Sequence, residues 1–425
     1  MAAPPTRRVV ITGIGVLSPI GHDPAAYWQS LLDRKSGVRT IRSIDTSALP
    51  VHIAGEIDFK ANDYVEKKDR KSLKMMARTI QMGLAGANLA MKDCGIDRTK
   101  LDSTRFGVEF GSGLVATELD DIAPAAEISG TDKPGIVDMA KWGRDGIRNM
   151  TPLWMLKYLP NMVACHVSIV HDAQGPNNSI TETDAASLLA VGEAYRIIRR
   201  NQADFFLAGA ADSKMSPLSL VRQCLFTPLS KRNDDPAGAC RPFDRGRDGE
   251  VIGEGAGVLV VEDLEHARRR GARIYAEVAG FGSSFDRGTK GGGIVRAIRA
   301  ALNQAGIGTG EIDHVNAHGI STVPGDVWEA QGIRAAFGDR RVPVFAAKSY
   351  IGNLSSAGST VELIASLLAL EHGTVPGTLN YADPDPACLI AVAADPRPVT
   401  KPYALKLGLT DAGQCAALVV RKWEN

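Results

Sequence analysis

Short β-branched apolar runs alternate along the chain with longer Ala- and Leu-rich stretches whose apolar residues recur every three to four positions. The first kind of run predicts strands and the second predicts helices with a buried stripe. On that reading strands fall at 8–14, 106–111, 204–209, 256–262, 273–280, 342–347 and 416–421. Helices fall at 72–93, 185–200, 294–305, 326–337 and 357–371. Such alternation predicts a layered α/β protein rather than an all-β fold or a bundle. Two segments, TDAASLLAVGEAYRIIRR (183–200) and SSAGSTVELIASLLALEHG (355–373), share one plan: small residues after a Gly- or Asn-containing turn, then a helix apolar nearly all round. A helix without a polar face is buried on every side. Both are therefore expected inside a chain built as two similar halves, 1–255 and 256–425, with the break near 255–272. The stretch 114–160 is the least regular, and PLWMLKYLP within it carries exposed-looking aromatics, the character of a lid, a dimer arm or a capped loop.

Charge and composition narrow the function. The 425 residues carry 49 Lys+Arg against 48 Asp+Glu, a net charge of +1 with His neutral. Nucleic-acid and anionic-membrane surfaces carry a clear basic excess, so neither partner is expected. No apolar run reaches the roughly 18 residues of a membrane span, and MAAPPTRR followed by VVITGIGV reads as the lead-in to a strand rather than a signal peptide. Six cysteines (Cys94, Cys165, Cys224, Cys240, Cys388 and Cys415) show no CxxC spacing and no histidines at zinc-site intervals, which fits a reducing, cytoplasmic setting without a metal. GIGVLSPIG (13–21) lacks the third glycine of a dinucleotide fingerprint, and GTKGGG (288–293) has no Ser or Thr in P-loop register, so no cofactor is expected. Cys165 and His166, read as neighbours on a strand, point to opposite faces and make no catalytic dyad.

Five collinear motifs carry the chemistry: RVVITGIGVLSPIG (8–21), GPNNSITETDAAS (175–187), RPFDRGRDGEVIGEGAGVLVVE (241–262), HVNAHGISTVPGD (314–326) and KSYIGNLSSAGSTVE (348–362). Together, over nearly the whole chain, they resemble the β-ketoacyl synthases, the condensing enzymes of fatty-acid and polyketide synthesis. The resemblance implies an α/β thiolase-like fold of five layers (αβαβα), a two-fold dimer and a substrate bound to an acyl carrier protein. It also implies that His166 and His171 lie near the dimer seam.

In that family a nucleophilic cysteine opens the buried helix after the GPN turn, where the helix N-terminus lowers the thiol pKa from about 8.5. Here that position is Asp184, with Gly175, Pro176, Asn177, Asn178, Ile180 and Thr181 holding the register before it and Ala185 after it. A carboxylate with an ordinary pKa near 3.9 is a weak nucleophile, and its acyl anhydride hydrolyses readily, so acyl loading is expected to fail. The structural reading makes Asp184 a helix-capping carboxylate. The family's first histidine falls on His318, its lysine on Lys348, and its second histidine has become Asn353. A donor pair of His318 and Asn353 still suits an enolate left by malonyl decarboxylation.

Three departures accompany Asp184. Asp411 replaces the family's gating Phe in a 410–415 turn that has lost glycines, and Ile320, near Thr322, replaces a threonine that in relatives binds the pantetheine arm. A Met-Thr-Ser-Pro loop is missing after 280–287. By contrast Pro242, Phe243, Asp244, Arg247, Asp248, Gly249, Gly253, Glu254, Gly255, Ala256 and Gly257 keep the family pattern, and Asp326, Glu329 and Glu362 are expected to form a buried charge network with Lys348. A kept scaffold with lost chemistry resembles the chain-length factors, subunits without the cysteine that pair with an active ketosynthase and set how far a chain grows. Two alternatives are a malonyl-carrier decarboxylase using His318 and Asn353, and a homodimeric acyl-binding scaffold without turnover.

Overall fold

In a computed structural model covering residues 7–288 and 290–424, the chain builds the same sheet twice. The leading MAAPPT and Thr289 of the 288–293 run lie outside the described residues. The first half runs β1 (Val9–Leu17), α1 (Arg78–Cys94), β2 (Phe106–Gly111), α2 (Met162–His171), β3 (Asn177–Ile180), α3 (Ala186–Arg199), β4 (Phe205–Ser213), α4 (Pro217–Phe226) and β5 (Glu254–Asp263). The second runs β6 (Ala276–Phe285), α5 (Gly292–Ala305), β7 (Ile312–Asn316), α6 (Val323–Phe337), β8 (Pro343–Phe345), α7 (Gly358–His372), β9 (Tyr403–Leu409) and β10 (Gln414–Lys422).

Neighbouring strands stand in the order β1-β5-β4-β2-β3 in one sheet and β6-β10-β9-β7-β8 in the other. In each, the first two pairings are antiparallel and the next two parallel. Order and direction thus match over five strands of each half, and Ala391–Val392 adds a sixth, parallel edge strand beside β8 that has no counterpart in the first half. The sheets join where Val9, Val10 and Ile11 pair with Val278, Glu277 and Ala276. Strand β5 carries the chain across residue 255 and pairs with β1 and β4 as far as Asp263 and Glu262.

Between the sheets lie α3 and α7. Helix α7 is buried continuously from Gly358 to Leu370, as its all-round apolar sequence requires. Its Val361, Ile364 and Leu368 join Leu188 and Val191 of α3 and residues of both sheets in one central core. Helices α1 and α2 cover the outer face of the first sheet, packing Ile80, Leu84 and Val163 against Val108 and Phe110. Helices α5 and α6 cover the second, packing Ile294, Ile298 and Ile333 against Val315, Leu405 and Leu407. The result is a five-layered, thiolase-like α/β fold. Among the described residues no helix is long and apolar enough to cross a membrane.

Two local expectations are corrected. Residues 162–171 form helix α2 rather than a strand: Cys165 N donates to Asn161 O, and the β-branched run is helical because one face of it packs on the first sheet. Cys165 and His166 therefore diverge by about 100° around a helix, and the Cys165 thiol meets Asn161 Nδ2 at 3.8 Å instead of an imidazole. In 114–160 the aromatics are not the exposed residues. Tyr158 is buried, and Met139, Ile147, Leu153 and Met155 face solvent.

Candidate active site

Each inner helix is entered through a tight 3₁₀ turn, Thr183–Ala185 before α3 and Ser355–Ala357 before α7. The first residue of each turn has positive φ, 37° at Thr183 and 49° at Ser355, a conformation that costs a non-glycine residue about 1–3 kcal/mol. The bend at Thr183 delivers Asp184 to the wall of a cleft of ≈ 540 Å³, whose lining also includes Glu250, Asn353, Asp411, Lys214 and Arg222.

Asn353 organises the floor. Its Oδ1 accepts from Lys348 Nζ at 3.3 Å and from Ser355 N at 3.1 Å. Both partners are donors only, which fixes the orientation of the amide. Its Nδ2 donates to Asp184 Oδ2 at 3.3 Å and to Glu250 Oε2 at 3.2 Å. Every hydrogen-bonding position of the Asn353 amide is thus taken.

Burial and the neighbouring charges separate the two carboxyls. Desolvation pushes Asp184 up to about 6, with Asp411 adding to the rise and Lys348 opposing it. Desolvation pushes Glu250 up to about 8, reinforced by Asp184 and Asp411. Near neutral pH Asp184 is therefore mostly ionised while Glu250 holds its proton. His318 Nε2 lies 3.9 Å from Asp184 Oδ2, too far for a hydrogen bond. His318 Nδ1 is buried with no partner. Burial, together with Lys348 and Lys406, holds the ring well below the ordinary histidine range, so it is neutral.

Lys348 is bound to Glu362 at 2.7 Å, and the other Glu362 oxygen meets Lys406 Nζ. Burial opposes the charge on Lys348, but Glu362 and Asp184 outweigh it and leave the ammonium above the ordinary lysine value. One carboxylate thus serves two enclosed ammoniums, a pairing that burial without partners forbids.

The expected charge network divides. Only Glu362 accompanies Lys348. Glu329 accepts from the backbone N–H groups of His318 at 2.6 Å and Gly319 at 2.7 Å, holding the His318 loop. Asp326 accepts from Phe243 N at 2.7 Å and Ser321 N at 3.0 Å and pairs with Arg247 at 3.3 Å. Thr322 caps α6, its Oγ1 accepting from Gly325 N at 3.2 Å, and Ile320 is buried beside Gly325, so neither lines the cleft. Asp411 stands exposed on the turn between β9 and β10 and does line it. Nor does Asp184 cap α3: no side chain caps that helix, and the Asp184 carboxylate turns to Asn353 instead.

Glu250 is the residue that sequence reasoning passed over. Its signal was a lone acid between Gly249 and the apolar pair Val251 and Ile252, inside a motif otherwise read as structural. Among the described residues no cysteine lines the cleft. Cys240, whose Sγ donates to Lys348 O, is fully enclosed, and its thiol is pushed up by burial. Asp184 and Glu250 thus line the cleft, one ionised and one protonated, while the neutral His318 imidazole adjoins Asp184 without being among the lining residues.

Comparison with known proteins places this geometry. The family model for "Beta-ketoacyl synthase, N-terminal domain" matches residues 6–267, and that for "Beta-ketoacyl synthase, C-terminal domain" matches 275–382. The chain is 36% identical to the 3-oxoacyl-[acyl-carrier-protein] synthase 2 of Vibrio harveyi, over 98% of this chain and 99% of that one. Among solved structures it is similar to the ishigamide ketosynthase/chain length factor, 31% identical with a TM-score of 0.86 over 99% of this chain and 100% of that one. It is also similar to a chain from a type II polyketide synthase acyl-carrier protein in complex with its ketosynthase bound to the hexaketide, 30% identical with a TM-score of 0.81, covering 98% of this chain and 100% of that one.

Proposed function

Because the chain belongs to the β-ketoacyl synthase family, we propose that it acts in fatty-acid or polyketide assembly as a non-condensing subunit, a chain-length factor paired with an active ketosynthase. One observation carries the reading: Asp184, where the resemblance puts the nucleophile, is bound by Asn353, and among the described residues no thiol lies beside it in the cleft. A carboxylate does not retain an acyl chain as a thioester does, so no loaded intermediate accumulates. The likeness to a solved ketosynthase/chain length factor supports the same reading. An acyl carrier protein is then the carrier whose chain the pair extends, and the cytoplasm its setting.

The malonyl decarboxylase reading fares worse. Both Nδ2 protons of Asn353 are engaged by Asp184 and Glu250, leaving none for an enolate oxygen, and an ionised Asp184 repels a malonyl carboxylate. The homodimeric scaffold is separated by experiment. Co-expressed with a ketosynthase that has an intact Cys-His-His centre, the protein should purify as a heterodimer. Incubated alone with acyl carrier protein charged with an acyl group, it should show no acyl adduct by intact mass. An adduct, or condensation by the isolated chain, overturns the proposal. A stable homodimer that ignores the ketosynthase favours the scaffold. Asp184→Cys should not restore condensation, since Asp411, Glu250 and Asn353 still surround the new thiol.

A further inference from the structure

Six arginines, Arg7, Arg8, Arg78, Arg105, Arg270 and Arg273, each bind a carboxylate. Burial works against each guanidinium, yet the bound carboxylate outweighs it and holds the pKa above the ordinary value. Arg340 is the reverse. Burial pushes its guanidinium down, and Asp313 and Glu311 do not make up the difference. Asp313 is already committed to Arg397 at 2.7 Å and to the Thr400 N–H at 2.7 Å. Arg340 Nη2 donates to Ile312 O, while Nη1 is enclosed with no acceptor. An enclosed cation with an unanswered donor is costly, so the chain by itself leaves this place incomplete.

Arg340 lines a pocket of ≈ 300 Å³ where α6 ends and the loop 338–342 leads into β8. Residues 389–391, leading into the unmatched edge strand, complete its wall. Arg334 and Arg341 line it too, both exposed and, among the described residues, without a paired carboxylate. Among the described residues Asp339 is the one acid in the lining. Three guanidiniums against one carboxylate leave two positive charges unbalanced. The Arg340 guanidinium stands 6.0 Å from the centre of the Phe337 ring, and Leu389, 62% exposed, adds an aliphatic wall. Helix α6 has 15 residues and is about 22 Å long, so the pocket lies at the far end of that helix from Thr322 and the His318 loop. It shares no lining residue with the Asp184 cleft.

We infer that this pocket binds an organic phosphate, with the phosphate against Arg334, Arg340 and Arg341 and the apolar part against Phe337 and Leu389. Charge decides between anions. A phosphate monoester carries about −1.5 to −2 near neutral pH and offers three acceptor oxygens, whereas a carboxylate answers only one of the two unbalanced charges. Guanidiniums suit such oxygens because their planar donors pair with them two at a time. The volume of ≈ 300 Å³ lies at the small end of the roughly 300–1,000 Å³ of ligand pockets, which fits a phosphate carried on a single ring or a short chain. The site is independent of whether the chain condenses acyl groups.

The experiment titrates the full chain with phenyl phosphate by isothermal calorimetry near pH 8, where a monoester with a second pKa of about 6 is fully charged. Benzoate and inorganic phosphate are titrated beside it. Phenyl phosphate should bind one to one, and benzoate about ten-fold or more weakly than that. Inorganic phosphate should also bind more weakly, since it leaves Phe337 and Leu389 unused. Replacing both exposed cations, Arg334→Ala with Arg341→Ala, should weaken phenyl phosphate about ten-fold or more without moving the ligand-free melting temperature. Arg340→Gln, which keeps an amide donor for Ile312 O, should weaken it likewise. Asp339→Asn should tighten binding, because it removes the carboxylate that competes with the ligand. Phenyl phosphate should raise the melting temperature of the wild type and not that of the double variant. No saturable heat at about 10 mM phenyl phosphate overturns the inference, as does an affinity that the double variant leaves unchanged. Benzoate binding as tightly as phenyl phosphate overturns the assignment of a phosphate. Should Arg340→Gln misfold, the exposed pair decides alone. Failure here leaves the partner reading standing, since that rests on heterodimer formation and intact mass.

Discussion

The turns at Thr183–Ala185 and Ser355–Ala357 occupy equivalent places in the two halves, and they have separated in chemistry while keeping one backbone. Each opens at positive φ and leads into a buried inner helix. The start of α7 also ties down the first turn and its helix: Ser359 Oγ donates to Asp184 O at 2.7 Å, and Thr360 N donates to Ser187 Oγ of α3 at 3.1 Å. At the residue after the bend they differ. Asp184 presents a carboxylate to the cleft, whereas Ser356 is fully buried and donates its hydroxyl toward Ala211 O and Asp212 Oδ2 at 3.2 and 3.1 Å. The strained bend is thus a property of the scaffold, and the side chain it presents decides whether the turn is a site or a joint.

The largest way to break the comparison lies on the side of the joint. Glu362→Gln leaves Lys348 and Lys406 enclosed against a neutral amide, and denaturant titration should show about 3–5 kcal/mol lost. Asp184→Asn should act in the opposite direction. The folded-state value of Asp184, about 6, lies above its ordinary one, so the folded protein holds an extra proton between the two. It loses stability as pH rises from about 4 through 6. Removing the charge should therefore stabilise by about 2–3 kcal/mol near pH 8, with the gain fading toward about pH 4, as thermal melts across pH will report. Asp184→Asn should also lower the Glu250 titration, visible by NMR, because Asp184 is among the groups raising it. Ser356→Ala is the smallest change, about 1 kcal/mol for its hydroxyl bonds, and should leave the pH dependence untouched.

Much of this architecture is legible in residue order. The segments 185–200 and 357–371 announce buried helices because neither has a polar face, and their likeness anticipates the repeated sheet. Strand β9 was not legible: Lys406 interrupts YALKLGL, and only its pairing with Glu362, distant in sequence, makes a lysine acceptable inside a buried strand. Helix α2 was misread because Val163, Val167, Ile169 and Val170 favour strands locally, and packing against β2 overrides that preference. At the candidate site, motif position singles out Asp184, His318, Lys348 and Asn353, which the fold brings close together. Their hydrogen bonds were not readable, because Asn353 reaches Glu250 across 103 residues of chain and nothing local marks the pair.

The ladder from Val9–Ile11 to Ala276–Val278 also bears on how the molecule comes apart. Since the first strand of one half is stitched by main-chain amides to the first strand of the other, neither can fray at that seam without exposing its twin. Proteolytic nicking of the connector before β6 should yield fragments that stay clasped until global denaturation, and amide protons on both sides of the seam should exchange together.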